Sequence, residues 1–228
     1  MITTALYDRA DGFWDAERER QDDGYFYKDE FALYAEFGLT DQLTLIGRAA
    51  WQTVEQVSED GYDSAQGLAA SELGVRRLFW SGERDVVSLQ AGMLIPGPGE
   101  NVSNQPLGEG ERAYELRALW GRSLAQNRFW DIQLAHRWRG GRDLDEARLD
   151  LTFGFQARPR WQVLAQTFSV WSVEPARAGA PEFDQHKLQL SLRRPWGEVD
   201  VQVGGFLTPA GRNSLDERAV FLSVWRRF

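Results

Sequence analysis

The chain has 228 residues, a formal net charge of −8, no cysteine, and an aromatic load of ten Trp, thirteen Phe and six Tyr beside only two Met. The acidity argues against nucleic acid as a partner, the missing cysteine removes disulfide and thiolate chemistry, and the low aliphatic content argues against a large helical core. No stretch approaches the run of about 18 apolar residues that a membrane-crossing helix needs.

Nearly every segment alternates with a period of two, the signature of strands with two unlike faces. The chain opens Met1-Ile2-Thr3-Thr4, with neither a charged nor an apolar leader region, so an exported protein would have shed its signal ahead of this sequence. Residues 2–14 read as a first strand of open register, running into the acidic stretch Asp15 to Asp23. In the second strand Phe31, Leu33, Ala35, Phe37 and Leu39 share one face, and Glu30, Ala32, Tyr34, Glu36 and Gly38 the other. Thr40-Asp41-Gln42 turns the chain, and Leu43, Leu45, Gly47, Ala49 and Trp51 then continue the oily face against Thr44, Arg48 and Gln52. A polar connection, Gln56 to Gln66, leads to a strand with Leu73, Val75 and Phe79 on the oily side and Glu72, Gly74, Arg76 and Trp80 on the other. Past the turn Ser81 to Arg84, Val87, Leu89, Ala91, Met93 and Ile95 alternate with Ser88, Gln90 and Gly92. The cluster Pro96-Gly97-Pro98-Gly99 opens a loop that reaches Glu111.

Tyr114, Leu116, Ala118 and Trp120 next oppose Glu115, Arg117 and Gly121. After a turn at Gln126-Asn127, Trp130, Ile132, Leu134 and Trp138 oppose Asp131, Gln133, Arg137 and Arg139. Gly140-Gly141-Arg142 turns the chain into Leu149, Leu151, Phe153 and Phe155 against Arg148, Asp150, Thr152 and Gln156, and Arg158-Pro159-Arg160 turns it again. Residues 161–173 form a strand whose register stays open, with a bulge expected, and Glu174 to Phe183 form a loop. The clearest pair follows: Lys187 to Arg193 and Glu198 to Val203 alternate strictly and are joined by Pro195-Trp196-Gly197. Pro209 to Ser214 reads as the last loop, and Val220, Leu222, Val224 and Phe228 finish the oily face against Glu217, Ser223, Trp225 and Arg227.

About twelve strands with alternating short and longer connections imply an all-β, transmembrane, antiparallel up-and-down barrel. It would form one domain over 1–228, with short periplasmic turns and longer extracellular loops. Its polar face carries Glu36, Glu72, Glu115, Asp131, Asp150 and Asp200 against Arg48, Arg76, Arg117, Arg137, Arg148, Lys187 and Arg193, a balance that an apolar interior could not accept. Outward aromatics gather near strand ends as two girdles: Phe37, Phe79, Trp120, Trp130, Phe155, Trp161 and Phe228 toward the turns, Tyr27, Trp51, Tyr114, Trp138 and Trp171 toward the loops. A soluble sandwich would leave the alternating loop lengths unexplained.

The segment Phe37-Gly38-Leu39-Thr40-Asp41-Gln42-Leu43-Thr44-Leu45 resembles the first periplasmic hairpin of small proteobacterial outer-membrane channel-like proteins. Among these are the phenol-degradation-pathway transporter type and barrels encoded with exopolysaccharide machinery. Val220 to Phe228 is similar to the C-terminal strand that barrel-assembly machinery reads, except that Arg226 stands where that pattern has an aromatic or aliphatic residue. The resemblance implies a bacterial outer membrane, contact with lipid and lipopolysaccharide, and envelope or polysaccharide-secretion proteins as partners.

Three functions follow from the residues. In a narrow channel for a small solute or a saccharide chain, inward Tyr34, Trp80, Phe206, Phe221 and Trp225 would stack on sugar rings while Arg and Glu meet hydroxyls. In a plugged or scaffolding barrel the same rings would fill the bore. In a lipid hydrolase or acyltransferase, His186 would pair with Ser172 and be oriented by Glu174 or Asp184, with His136 nearby. Charge is also sorted along the axis. Arg76, Arg77, Arg84, Arg122, Arg128, Arg158, Arg160, Arg193, Arg194, Arg226 and Arg227 lie toward the turns; Asp15, Glu17, Asp22, Asp23, Glu59, Asp60, Glu109, Glu111, Asp145, Glu174, Glu182 and Asp216 lie toward the loops. Such a dipole would favour anions entering from the turn side, or would let acidic loops meet lipopolysaccharide through divalent cations. No cofactor motif or metal cluster is present, and the sequon Asn101-Val102-Ser103 has no meaning in a bacterial loop.

Overall fold

The computed structural model describes residues 1–58, 61–97, 112–141, 143–177 and 179–228. The Pro98-Gly99 end of the Pro/Gly cluster, the Asn101-Val102-Ser103 sequon, Glu59, Asp60, Glu109 and Glu111 lie outside the described residues. The strands run β1 (Ile2–Trp14), β2 (Arg20–Gln21), β3 (Tyr25–Gly38), β4 (Leu43–Ser58), β5 (Gly61–Leu68), β6 (Ser71–Ser81), β7 (Asp85–Ile95), β8 (Ala113–Leu124), β9 (Arg128–Arg139), β10 (Glu146–Arg158), β11 (Trp161–Ser172), β12 (Asp184–Trp196), β13 (Val199–Arg212) and β14 (Ser214–Arg226). All pair antiparallel, the twelve wall strands each with the next along the chain once the short β2 and β5 are set aside, and β14 pairs back onto β1, so the sheet closes on itself and needs no protected edge.

Twelve strand positions make the wall. Of the remaining two strands, β2 is a short bridge onto the far end of β1, and β5 continues β6. β4 pairs with β5 along Trp51–Ser58 and with β6 along Leu43–Arg48, the register slipping by one residue around Ala69-Ala70. The expected connection from Gln56 to Gln66 is therefore mostly strand, because Val54 and Ala65 oppose each other. With Ala32, Ala50 and Ala69 they form a buried cluster against Phe26.

Directly opposed residues share a face of the sheet, so each register carries sidedness around the ring. Leu33, Leu73, Leu134, Leu190 and Leu222 are exposed on the outer surface, whereas Ala32, Ile46, Ala135, Leu164 and Phe221 are buried on the inner one. Exposed Phe37, Phe79, Trp120, Trp130 and Trp161 ring the turn end, and Trp51, Tyr62, Tyr114 and Trp138 the other. A closed barrel that turns grease outward and charge inward is the fold of a transmembrane β-barrel.

The short connections, residues 39–42, 82–84, 125–127, 159–160 and 197–198, share one end with both termini, where the Met1 amino group donates to the Arg226 carbonyl at 2.9 Å. Gln126, Asn127, Arg160 and Gly197 all adopt positive φ there, as tight hairpin turns require. The opposite end carries the longer connections, apart from the two residues that separate β4 from β5 and one further hairpin. β13 runs on to Arg212 and Asn213 alone, at φ 48°, turns the chain, so the expected loop from Pro209 to Ser214 is largely strand. Pro209 fits because the β12 register slips between His186 and Leu188 and the β14 ladder ends at Leu207, so no ladder bond is asked of its nitrogen.

The register left open in β11 resolves with Gln162, Leu164, Gln166 and Phe168 inside and Trp161, Val163, Ala165 and Thr167 outside. The bulge lies not in β11 but in β10, between Gln156 and Arg158, and a second lies in β13, between Leu207 and Ala210, opposite His186 and Leu188. A further bulge corrects the expected place of Trp80. The β6 register slips between Leu78 and Trp80, so Trp80 opposes Val87 and stands exposed on the outer face beside Phe79. One inserted residue reverses the parity of everything after it.

Candidate functional site

Apart from Trp80, the residues expected in the lumen lie on the inner face. Near the turn end Tyr34 donates to Glu36 at 2.5 Å, and Arg76 pairs with the other oxygen of Glu36. Arg193 pairs with Asp200 at 2.6 Å and lies 4.6 Å over the ring of Trp225, whose indole nitrogen donates to Gln202. At mid-depth Arg48 pairs with Glu30 at 2.6 Å, and Arg117 reaches Glu115, Gln133 and Asp150. Arg137 also pairs with Glu115 at 2.8 Å, Arg148 with Glu146 at 2.6 Å, and Gln133 donates to Asp131. Glu72 makes no ion pair or hydrogen bond among the described residues; Arg48, opposite it in the ladder, turns to Glu30 instead.

These inward pairs join residues of one strand or of strands that are adjacent or one apart, so the charges run along the wall and not across the bore. Twelve strands about 4.8 Å apart and tilted about 40° close at a backbone radius of roughly 12 Å, more than one arginine can span. A cavity of about 680 Å³ accordingly reaches from Tyr34, Glu36 and Arg48 on β3 and β4 to Arg148, Asp150 and Phe168 on β10 and β11. A second cavity, of about 630 Å³, opens at the turn end between Met1, Arg193, Asp200 and Trp225. Tyr34 and Glu36 line both, and so stand at the neck between them.

Beyond that turn-end cavity the remaining wall is filled. Lys28 approaches Asp8 at 3.1 Å and Glu217 at 3.7 Å, and Lys187 pairs with Glu217 at 2.7 Å while lying 4.7 Å over the ring of Phe206. Gln185 donates to Glu217 at 2.6 Å, Gln202 to Ser191 at 2.8 Å, and Thr4 and Ser223 share a hydrogen bond. Asp8, Glu217, Phe221, Ser191, Gln202 and Ser223 are all buried. Asp8, Lys28, Glu30, Gln52, Gln90, Glu146 and Phe168 are absent from the expected lumen set. For Asp8 and Phe168 the missing signal was the register of β1 and β11; for Glu30, placement on the polar face of the second strand was signal enough.

The hydrolase geometry changes partners. Ser172 exchanges hydrogen bonds with the backbone of Phe183, and the hydroxyl near His186 Nδ1 is that of Ser169, at 3.0 Å. Asp184 lies 3.4 Å from His186 Nε2, but its carboxylate is buried and already accepts from both terminal guanidinium nitrogens of Arg18 at 2.6 and 2.8 Å. The loop-end acids are likewise matched locally. Arg20 pairs with Asp22 and Asp216, Arg177 with Glu174, and Arg212 with Glu182. The axial charge sorting is thus one-sided: the described loop-end acids are largely compensated, while Arg77, Arg128, Arg158, Arg194 and Arg226 at the turn end form no ion pair among the described residues.

No family model matches the chain, and no curated protein matches it. Solved structures do. The chain resembles an outer membrane channel from Pseudomonas putida F1 over 100% of its own length and 94% of that chain, with 16% identity and a TM-score of 0.79. It resembles the translocator domain of the autotransporter NalP from Neisseria meningitidis over 100% and 88%, with 10% identity and a TM-score of 0.63. The KdgM porin, solved in complex with disordered oligogalacturonate, matches over 100% and 99%, with 7% identity and a TM-score of 0.60. At these identities the likeness is one of fold.

Proposed function

We propose that the protein is an outer-membrane channel whose open wall conducts a small solute or a saccharide chain past Tyr34, Arg76 and the Arg117 network. The observation that carries this reading is the continuous space from the neck at Tyr34 and Glu36 across to Arg148 and Phe168, with ion pairs laid along the wall. Paired charges present hydroxyl-binding groups without holding a net ion, which suits weak serial binding and release. Glu72, which like Asp131 meets no cationic side chain among the described residues, attracts cations at this level of the pore. On this reading the turn end faces the periplasm, the outer band meets lipid, and Val220 to Phe228 engages the assembly machinery. Envelope or polysaccharide-secretion proteins remain its candidate partners. The filled wall favours a second reading, a scaffold barrel. Planar-bilayer recording separates the two: single-channel steps that a permeant sugar reduces support the channel, and a barrel that inserts without conducting overturns it in favour of the scaffold.

A further inference from the structure

The lumen cations are paired; those on the outer face of β10–β12 are not. Arg158 opposes Trp161 in the ladder, and the guanidinium of Arg194 lies 5.0 Å over the same ring. Arg160 reaches the Pro195 carbonyl at 3.5 Å, bringing a third guanidinium to the two turns. All three are exposed and form no ion pair among the described residues, Glu198 on the neighbouring turn included. Three arginines around an interfacial indole match the geometry and charge of a phosphodiester.

The same strands carry an apolar groove of about 610 Å³ on their outer face. Its relief comes from two small residues in one lateral row, Phe153–Ala165–Leu190–Gly205, which leave dips between the large ones. Ala165 lies four residues along β11 from Trp161, roughly 13 Å, which is inside the hydrocarbon depth of one leaflet, about 15 Å. A cationic clamp at the interface and an acyl-sized groove beneath it therefore lie on one line.

We propose that this face is a binding site for an anionic phospholipid of the leaflet at the turn end. Arg158, Arg160 and Arg194 hold the headgroup phosphate against Trp161, and an acyl chain lies over Ala165 and Gly205. The inference rests on the membrane reading above but not on conduction. Each arginine near an anionic surface contributes about fivefold in affinity, so removing two predicts a loss of at least tenfold.

The test is native mass spectrometry of the full barrel released from nanodiscs of mixed phosphatidylglycerol and phosphatidylethanolamine. The wild type is expected to retain phosphatidylglycerol selectively, the Arg158→Gln/Arg194→Gln double variant to lose that selectivity by tenfold or more, and Ala165→Phe to weaken retention of either lipid. Arg77→Gln, elsewhere on the rim, should change little. Equal retention of the two lipids by the wild type, an unaffected double variant, or displacement by millimolar inorganic phosphate would each overturn the site. Bilayer recording of the double variant separates the two proposals: unchanged conductance with lost lipid selectivity leaves the channel standing, and a barrel that never conducts leaves the lipid result intact.

Discussion

The two walls of the lumen obey the same inward parity and reach opposite ends. Beyond the turn-end cavity, the inner side chains of β1 and β12–β14 pack on one another until Asp8, Glu217 and Phe221 are buried, while those of β3–β10, though Glu115, Arg137 and Glu146 are buried too, lie back along the wall and leave a cavity. What differs is reach. Lys28 and Lys187 come from strands on either side of the β14–β1 seam and meet over Glu217, with Phe206 beneath, whereas Arg117 and Arg76 find carboxylates without leaving their own sector. Inward charge by itself therefore says little about whether a barrel is open; the direction in which each charge finds its partner decides it.

The contrast is broken most severely by Glu217→Ala. It strands Lys187 and leaves Lys28 with Asp8 alone in a packed wall, and is expected to cost about 3–5 kcal/mol, against under about 1 kcal/mol for Glu36→Ala, whose pair with Arg76 is half-solvated. Urea unfolding followed by heat-modifiable gel mobility measures both, and equal losses would mean that the walls do not differ. Glycine substitution probes packing directly. A Cβ at Gly204 would sit 2.5 Å from the Ser191 Cβ and 2.7 Å from the Leu190 carbonyl, whereas one at Gly121 meets nothing closer than 3.9 Å. Gly204→Ala should then destabilise by about 1–3 kcal/mol and Gly121→Ala by almost nothing in the same assay.

Smaller effects belong to the open wall. Glu72→Gln should leave stability unchanged and reduce cation preference by roughly twofold to fivefold, since a unit charge a few ångströms from a solvated ion is worth about 1 kcal/mol. Reversal potentials in a salt gradient read this, and an unchanged preference would place the selectivity elsewhere. Last comes the connection between β1 and β2. Asp15 accepts from Gln21 and from the Glu19 and Glu17 amides, and these bonds hold its carboxyl below the ordinary range. A depressed folded value means that the contribution is present above the unfolded pKa of about 3.9 and is lost only as pH falls through the lower folded one. Amide exchange at Glu17 and Glu19 should therefore stay slow down to about pH 4, and Asp15→Asn should speed it wherever the Asp15 carboxyl is ionised.

Most of this architecture was legible in the alternation. The oily rows through Phe37, Leu73, Leu116, Leu151 and Leu192, and the lumen positions from Tyr34 to Trp225, follow from a period of two that survives wherever the ladder is regular. Trp80 was misplaced because a bulge at Phe79 adds a residue that no side-chain pattern announces, and Pro209 looked like a loop because proline is tolerated in a strand only where its neighbours make no demand on it. The Ser172 partner assigned to His186 failed for the same reason, since the register places Ser169 opposite it.

By itself the sequence determined the strand count, the up-and-down order and the face that each regular position presents, because these depend on residues close together along the chain. Only the closed structure decided which inward charges meet and which wall is filled. Asp8, Lys28, Lys187 and Glu217 come from four strands and are brought together when β14 closes onto β1, and the outer clamp at Trp161 needs two hairpin ends side by side. Contacts of that kind depend on curvature and stagger, which belong to the whole ring and to no segment of it.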